Sequence, residues 1–164
     1  MAFAISIQAD GSSPVMEALT KLAGLDTAAM FDEIGAELVS STQRRFTGQH
    51  DVDGNPWKQS WRAKNQGREK NQGGQTLRDT GRLMNSITHN VLANGVEVGT
   101  DFEYAHVLHF GADIYPKTAQ FLTFAVGGEF RRAKHVKIPP REFLGLDTED
   151  EQNILNIIGR HIGV

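Results

Sequence analysis

The stretch from Leu77 to Gly111 most constrains the fold, because several local structural signals lie close together within it. At its centre, Asn94-Gly95 separates two strand-like runs, residues 88–92 and 96–98. Asn-Gly favours the positive φ angles of a tight turn, so the sequence predicts an antiparallel hairpin that turns at Asn94-Gly95. Long polar or glycine-rich segments flank this compact centre on both sides.

Helical signals lie on each side of the hairpin. Asp79-Thr80-Gly81 offers capping groups before Leu83, Met84 and Ile87, whose spacing predicts a short amphipathic helix. Tyr104, Val107 and Leu108 have the spacing of a second helix, which Gly111 is expected to end.

The N-terminal region predicts a strand followed by helix. Residues 3–7 alternate apolar and small or polar side chains, as a short strand does. Ser13-Pro14 begins a helical pattern that Gly24 interrupts, and a second pattern runs from Asp26 or Thr27 to near Phe46. These are two helices or one kinked helix. The apolar stripe predicts core, and Arg44-Arg45 suits the negative end of the helix.

Residues 48–75 have no hydrophobic periodicity and are rich in Gly, Asn and Gln. A loop this long within a domain is usually functional or disordered. Trp57 and Trp61 are expected to share a face of one short helical turn and to dock the start of the loop. The part from Lys64 to Gln75 is expected to be mobile.

The C-terminal third predicts strands and a closing helix. Residues 120–126 are strand-like, Gly127-Gly128 turns, and residues 130–138 return with interleaved bases, which predicts an exposed arm. Thr148 and Glu151 have the spacing of a capping box, before a helix expected to bury one side. That side comprises Ile154, Leu155, Ile157 and Ile158.

We therefore predict an α+β fold, with an antiparallel sheet of about four strands packed against a long N-terminal helix and with long extended loops or arms. The length of 164 residues fits one domain, residues 1–164. It would hold out an extended loop at about 48–76 and a hairpin arm at about 120–138.

Composition and motifs argue against an enzyme. The chain has no cysteine, which excludes disulfides and thiolate metal sites, and no apolar run long enough for a membrane span. Phosphate-loop, dinucleotide, zinc-protease and nucleophile-elbow motifs do not occur. We predict no catalytic residue, no cofactor, no metal site and no small-molecule substrate.

Two apparent metal motifs do not satisfy the chemistry of a metal site. Asp51, Asp53 and Asn55 mimic the start of a calcium loop, but Pro56 and Arg62 replace its essential glycine and glutamate. His106 and His109 are three residues apart on a predicted helix, yet a metal would need at least one further ligand. Packing or surface roles suit both histidines better.

Charge is unevenly distributed along the chain. Residues 1–43 carry six acids against one base, whereas residues 44–78 carry eight bases against three acids. Such blocks suit head-to-tail contact between copies, and they suit solvated faces equally well. The bases and tryptophans at 57–70 could hold single-stranded nucleic acid, but the pI near 6.1 makes that partner unfavoured.

Four motifs in order resemble the phage virion morphogenesis family, the tail-completion proteins of Mu-like and related tailed phages. The resemblance covers about residues 15–160, with Phe46, Asp53-Gly54-x-Pro56-Trp57 as an upstream match. The matching residues are Thr80, Gly81, Leu83, Ser86 and Ile87, then Val98, Gly99 and Thr100, then Tyr104, Ala105, Phe110 and Gly111, and finally Pro140, Arg141, Phe143, Leu144 and Gly145.

The resemblance implies a structural virion protein that finishes the tail and helps to join it to the head, without catalytic residues. Since tail and neck proteins commonly form closed rings, the expected partners are copies of itself, in a ring expected to be hexameric, and the neighbouring tail tube or head–tail connector proteins. It would work in the virion, at the head–tail junction or tail end, after assembly in the host cytoplasm.

Particular side chains are assigned to these contacts as hypotheses. Trp57, Trp61 and Phe143 would anchor the loops to the body of the protein. The bases Arg62, Lys64, Arg68, Arg131, Arg132 and Lys134 would face partners. Two other interpretations stay open: a head-side neck or connector protein that contacts the portal, and a small phage-encoded DNA-binding protein.

Overall fold

The structure is a computed structural model that describes residues 3–6, 27–66, 74–126 and 129–162. Its longest described helix is the 21-residue α1 (Ala28–Gly48), against which the main sheet packs. Met30, Ile34 and Leu38 recur along one side of α1 and are buried. This side is the apolar stripe predicted from the sequence, and the helix ends with Gln49 in a left-handed conformation. The predicted helix between Ser13 and Gly24 lies outside the described residues.

Helix α1 packs across a three-stranded antiparallel sheet in the order β1-β3-β2. The strands are β1 (Phe3–Ser6), β2 (Ile87–Leu92) and β3 (Gly95–Thr100). The predicted N-terminal strand and central hairpin are therefore confirmed. The turn lies one residue earlier than expected, because Leu92 pairs with Gly95 and leaves Ala93-Asn94 at the turn. Neither Asn94 nor Gly95 has a positive φ.

Gly35 allows α1 to approach the sheet closely. A Cβ atom at Gly35 would lie 2.4 Å from the ring of His89 and 2.8 Å from a methyl group of Val96. Real Cβ atoms do not approach so closely, so the absence of a side chain at Gly35 sets the distance between helix and sheet. The His89 ring cannot move away without cost, because its Nε2 is 2.9 Å from the Asp32 carboxylate.

Replacing Gly35 with alanine is expected to lower the free energy of unfolding by about 1–3 kcal/mol, the usual cost of overpacking a core. This loss should exceed the roughly 1 kcal/mol that alanine gains over glycine inside a helix. Urea unfolding of the variant measures the change. Gly95→Ala is the matched control, since a Cβ there meets nothing within 4 Å. Equal effects at both positions would contradict the close-approach explanation.

The remaining strands form two separate two-stranded antiparallel ribbons. Strands β4 (Ala112–Ile114) and β7 (Val136–Ile138) make one ribbon, and β5 (Leu122–Val126) and β6 (Glu129–Ala133) make the other. The α+β class is confirmed, but the strands are divided among three small sheets rather than one sheet of about four. The long return strand predicted at 130–138 is broken, because β7 leaves β6 to pair with β4.

Four further helices complete the described part of the chain: α2 (Trp61–Gln66), α3 (Arg82–Asn85), α4 (Ala105–Phe110) and α5 (Thr148–Ile162). Helices α3 and α4 are the two predicted around the hairpin, and Gly111, with φ 75°, ends α4 as expected. Gly81, with φ 79°, occupies the N-cap position of α3, and the neighbouring Thr80 Oγ1 accepts a 3.5 Å hydrogen bond from the Arg82 N–H. None of the described helices is both long and apolar enough to cross a membrane.

Helix α5 packs on α1 through Ile154, Ile157 and Ile158. Leu155 was expected on this side but is 38% exposed. The capping box also begins one residue before the predicted Thr148 and joins Asp147 to Asp150. The Asp150 backbone N–H donates to Asp147 Oδ1 at 2.9 Å, and the Asp147 N–H donates back to Asp150 Oδ2 at 3.2 Å. Asp147, not Thr148, therefore caps α5.

Candidate assembly surface

The β5–β6 ribbon, hereafter the arm, projects the basic residues predicted to face partners. Strands β5 and β6 pair with each other and make few contacts with any other described element. Arg131, Arg132 and Lys134 are exposed, although Arg131 also forms a 3.3 Å ion pair with Glu129 on the same strand. Phe130 is 83% exposed, which is unusual for a large aromatic side chain. Phe130 was not among the residues predicted to face partners.

Trp57 belongs to the core rather than to a partner surface. Its side chain is buried, contacts Phe46 edge-on at 5.5 Å between ring centres, and donates an Nε1 hydrogen bond to the Glu142 carbonyl at 3.2 Å. Trp61 begins α2 and is 46% exposed. The two tryptophans therefore do not share one helical turn, because the chain from Trp57 to Ser60 is not helical.

The described bases of the 48–76 loop differ in their contacts: Arg62 binds groups of its own chain, whereas Lys64 is exposed. Arg62 folds back on its own chain, donating to the Gln75 carbonyl at 2.6 Å and approaching Asp79 at 3.3 Å. Arg62 was expected to face partners, but these contacts hold α2 against the C-terminal end of the loop. Lys64 is exposed, and Arg68 lies outside the described residues.

The motif residues at 140–145 join α4 to the rest of the protein. The Arg141 backbone N–H donates to the carbonyls of Leu108 and His109, and its Nε donates to the Lys58 carbonyl at 2.9 Å. The Phe143 N–H donates to Nδ1 of His109 at 3.3 Å. Burial, with a smaller effect of His106, lowers the pKa of His109 to about 4, so the ring is neutral and can accept this bond. Burial also lowers the pKa of Arg141.

Most other motif residues have structural positions that explain their type. Ala105 and Phe143 are completely buried, and Leu83, Ile87 and Leu144 are buried in the same core. Ser86 Oγ lies 2.6 Å from the Thr100 hydroxyl, which links α3 to the end of β3, next to buried Gly99. A Cβ atom at Gly145, whose φ is 152°, would lie 2.7 Å from a methyl group of Val52, so glycine fits this position. Pro140 and Tyr104 are exposed.

Several motif residues also surround an open pocket of about 410 Å³, hereafter the pocket. Its apolar part is formed by Leu77, Leu83, Phe102 and Leu108, and three arginines lie on its wall with one acid, Asp79. The arginines are Arg62, Arg82 and Arg141. The pocket draws on residues from Ser60 to Arg141, so it exists only in the folded chain. Two of these arginines already have partners within the chain, because Arg62 pairs with Asp79 at 3.3 Å and the Arg141 Nε donates to the Lys58 carbonyl.

A buried ion pair is the most important feature that sequence reasoning missed. Arg45 is 1% exposed and pairs with the buried Asp150 and, at 2.8 Å, with Asp147. Its Nη1 also donates to the carbonyl of Gly145 at 3.0 Å. Arg45 therefore links α1, the 140–145 motif and the cap of α5, instead of serving only the negative end of α1.

The described acids of the N-terminal block have partners within the chain. Asp32 contacts His89, Glu33 contacts Arg160 and His161, and Glu37 contacts Arg44. The contacts with His161 and Arg160 lower the pKa of Glu33, chiefly through the hydrogen bond with His161. Much of the acidic face of α1 is therefore neutralised internally, which weakens the argument for head-to-tail contact from charge blocks alone.

The described side chains do not include a cluster of three or more His, Asp or Glu residues arranged to hold a metal ion. Asp51 instead uses its carboxylate to order the local turn, accepting from the N–H groups of Asp53 at 3.0 Å and Asn55 at 2.8 Å. His106 is exposed and His109 is buried, so the two imidazoles face different surroundings.

Comparisons with known proteins agree with the resemblance of the motifs. The sequence model of the phage virion morphogenesis family matches residues 11–163. The chain is also 30% identical over 157 residues to the Mu-like prophage FluMu G protein 2 of Haemophilus influenzae, covering 94% of this chain and 93% of that protein. No solved structure matches the chain.

Proposed function

This chain belongs to the phage virion morphogenesis family, and we propose that it completes the phage tail as one subunit of a ring at the head–tail junction. The family membership assigns it a structural role in the phage virion. The finer role, the ring and its contacts with tail tube or connector proteins are the proposal. A ring of six copies is the expected form.

The observation that carries the proposal is the arm. An isolated two-stranded ribbon is only marginally stable in water, and the arm makes few contacts with the other described helices and strands, so a partner would add to its stability. The arm carries exposed bases and an exposed phenylalanine, which are residue types that serve protein–protein contacts. A structural subunit that joins neighbours needs such a projection, whereas a self-contained domain does not.

The test is to replace Arg131, Arg132 and Lys134 together with alanine in the phage or prophage that carries the chain. We expect filled heads beside unjoined tails in micrographs, because the exposed bases no longer contact partners. The matched control replaces Arg44, Lys58 and Arg160 with alanine, which removes the same charge from exposed positions outside the arm. Normal particles from the arm variant would show that these bases do not face partners.

The alternative is a head-side connector, and particles lacking the chain distinguish the two. Purified chain added to separated heads and tails should bind the tails and restore joining. Binding to the heads alone would support the connector and overturn tail completion. Binding to DNA that weakens steeply with salt, with no effect on particles, would support the third interpretation.

A further inference from the structure

We infer that the arm of one copy docks on helix α4 of the neighbouring copy in the ring. Phe130 would pack against Phe110, and Arg132 would pair with Glu103. The inference rests on the proposed function, since it names the contact by which neighbouring subunits would join. It is carried by two exposed surfaces that match in residue type, charge and spacing.

The first surface is one face of the arm, hereafter the outer face. Paired residues of an antiparallel ribbon share a face, so the register of β5 and β6 defines this one. Every side chain on it is exposed, and Phe130 is 83% exposed. Glu129 and Arg131, which pair with each other, lie on the opposite face. The outer face comprises Thr123, Ala125, Phe130 and Arg132.

The second surface is the exposed side of α4, hereafter the α4 face. His106 and Phe110 are one helical turn apart and exposed, with their ring centres 5.0 Å apart. Glu103 is exposed in the turn that leads into α4, and its spacing of three residues places it on the side of His106. The α4 face therefore presents aromatic rings at one end and a carboxylate at the other.

The charges of the two surfaces are opposite. Arg132 forms no ion pair with any residue that the structure describes, and the same holds for the exposed acids Asp101 and Glu103. Residues 129–138 contain four bases and one acid, whereas residues 96–116 contain four acids and no lysine or arginine. Because complementary charges steer and align protein contacts, this match identifies a second copy as the partner of the outer face. The four acids are Glu97, Asp101, Glu103 and Asp113, of which Asp113 contacts His135.

The spacing of the groups also matches. Phe130 and Arg132 are two residues apart on a strand, which separates them by roughly 7 Å. The helical rise places the middle of the His106–Phe110 pair roughly 7 Å from Glu103 along α4. The phenyl ring can therefore pack on the aromatic pair while the guanidinium reaches the carboxylate. Both contacts are favourable beyond the area that they bury.

Neither surface is covered by the other within a single copy. The arm follows α4 in the chain, but its strands make few contacts with other described elements, and Phe110 is 51% exposed. A contact between the arm of one copy and α4 of the next joins two different surfaces. Such a heterologous contact gives a ring when the rotation between neighbours closes. It would also support an arm that has little support from its own body.

Because the chain has no cysteine, one engineered cysteine can carry a photoreactive probe on the outer face. Thr123→Cys labelled with benzophenone maleimide keeps both Phe130 and Arg132. The labelled chain is added to separated heads and tails that lack the chain, and the joined particles are irradiated. Mass spectrometry should find the probe attached to residues 103–110 of a second copy. Attachment only to another virion protein would overturn the inference.

The matched control carries the same probe at Glu129→Cys, an exposed position on the opposite face of the arm. This probe should attach to residues 103–110 several-fold less than the probe at Thr123→Cys. Equal attachment from both faces would overturn the inference, because only the outer face is expected to meet α4.

Exchange of the charges gives a second measurement that needs no probe. Arg132→Glu and Glu103→Arg should each lower the yield of joined particles at least about tenfold, because like charges then meet at the contact. The double variant restores opposite charges and should recover joining. The control combines Glu103→Arg with Arg131→Glu, which lies on the opposite face and should not recover it. Unaffected single variants, or a double variant that fails to recover, would overturn the inference.

The two levels of proposal can fail separately. Tails completed by the chain, without attachment between copies and without recovery in the charge exchange, would exclude the contact between arm and α4 and leave tail completion intact. Particles that join normally without the chain would exclude tail completion itself.

Discussion

Replacing Arg45 with alanine is expected to lower the free energy of unfolding by about 3–5 kcal/mol, which is a large fraction of the stability of a typical domain. The variant leaves the carboxylate of Asp150, which is 1% exposed, without its cation. It also removes donors from the carbonyl of Gly145 and the carboxylate of Asp147, so α1 loses its link to the cap of α5. Denaturant unfolding followed by circular dichroism measures the change.

The neighbouring arginine is the matched control. Arg44 pairs with Glu37 at 2.9 Å, but half of the Arg44 side chain is exposed, and such surface pairs contribute about 0–1 kcal/mol. Arg44→Ala should therefore change stability only slightly. Equal effects of Arg44→Ala and Arg45→Ala would show that Arg45 is not part of a buried ion pair.

A double replacement separates the cost of an unpaired charge from the value of the pair. Replacing Arg45 with methionine and Asp150 with leucine removes both charges, and the double variant should be more stable than Arg45→Ala. Two atoms of the pair support this expectation, because Arg45 Nε and Asp150 Oδ1 are buried without a hydrogen-bond partner. The ion pair therefore lacks some of its possible hydrogen bonds. Removing both charges should lower the free energy of unfolding less than removing Arg45 alone.

The same cluster has an acid-sensitive contribution. Burial raises the pKa of Asp147, but hydrogen bonds from Arg45 and from the N–H groups of Asp150 and Glu149 outweigh it and leave the pKa below its usual value. A lowered folded-state pKa stabilises the fold above the unfolded value of about 4, and this stabilisation is lost as pH falls further. The loss below about pH 4 should be smaller in Arg45→Ala.

Elements with local signals could be predicted from the sequence, whereas long-range pairing could not. The apolar period of α1 and the glycine after α4 act within a few residues, so both elements were found. Arg44 and Arg45 carry the same local signal, yet only Arg45 meets Asp150, which is 105 positions away. The N-cap of α5 is Asp147 and not the predicted Thr148, because the ion pair with Arg45 holds Asp147 in place.

The candidate site shows the same limit. The basic residues of the arm were recognisable from the bases interleaved along residues 130–138. The pocket instead brings together residues from Ser60 to Arg141 that no local pattern connects. Trp57 and Trp61 looked equivalent, since both are tryptophans in one polar loop. Their difference depends on Phe46 and Glu142, which only the fold brings to Trp57.

Replacing Phe143 with alanine is the second change with a large expected effect, a loss of about 3–5 kcal/mol in the free energy of unfolding. Phe143 is completely buried, with its ring centre 5.2 Å from that of Phe46 and 4.9 Å from that of His109. Alanine would leave a cavity where α1, α4 and the 140–145 motif meet, and these elements cannot close it without shifting toward one another.

The control uses the same substitution at the opposite extreme of exposure. Phe130→Ala should change the stability of the isolated chain by no more than about 0.5 kcal/mol, because the ring is 83% exposed. The two variants should also separate by function. A loss of particle joining in Phe143→Ala should be relieved at lower temperature, as the fold recovers. A defect of Phe130→Ala should persist, because a well-folded chain would still lack the exposed aromatic side chain of the arm. A persistent defect in Phe143→Ala with unchanged unfolding would place Phe143 at a partner contact instead of the core.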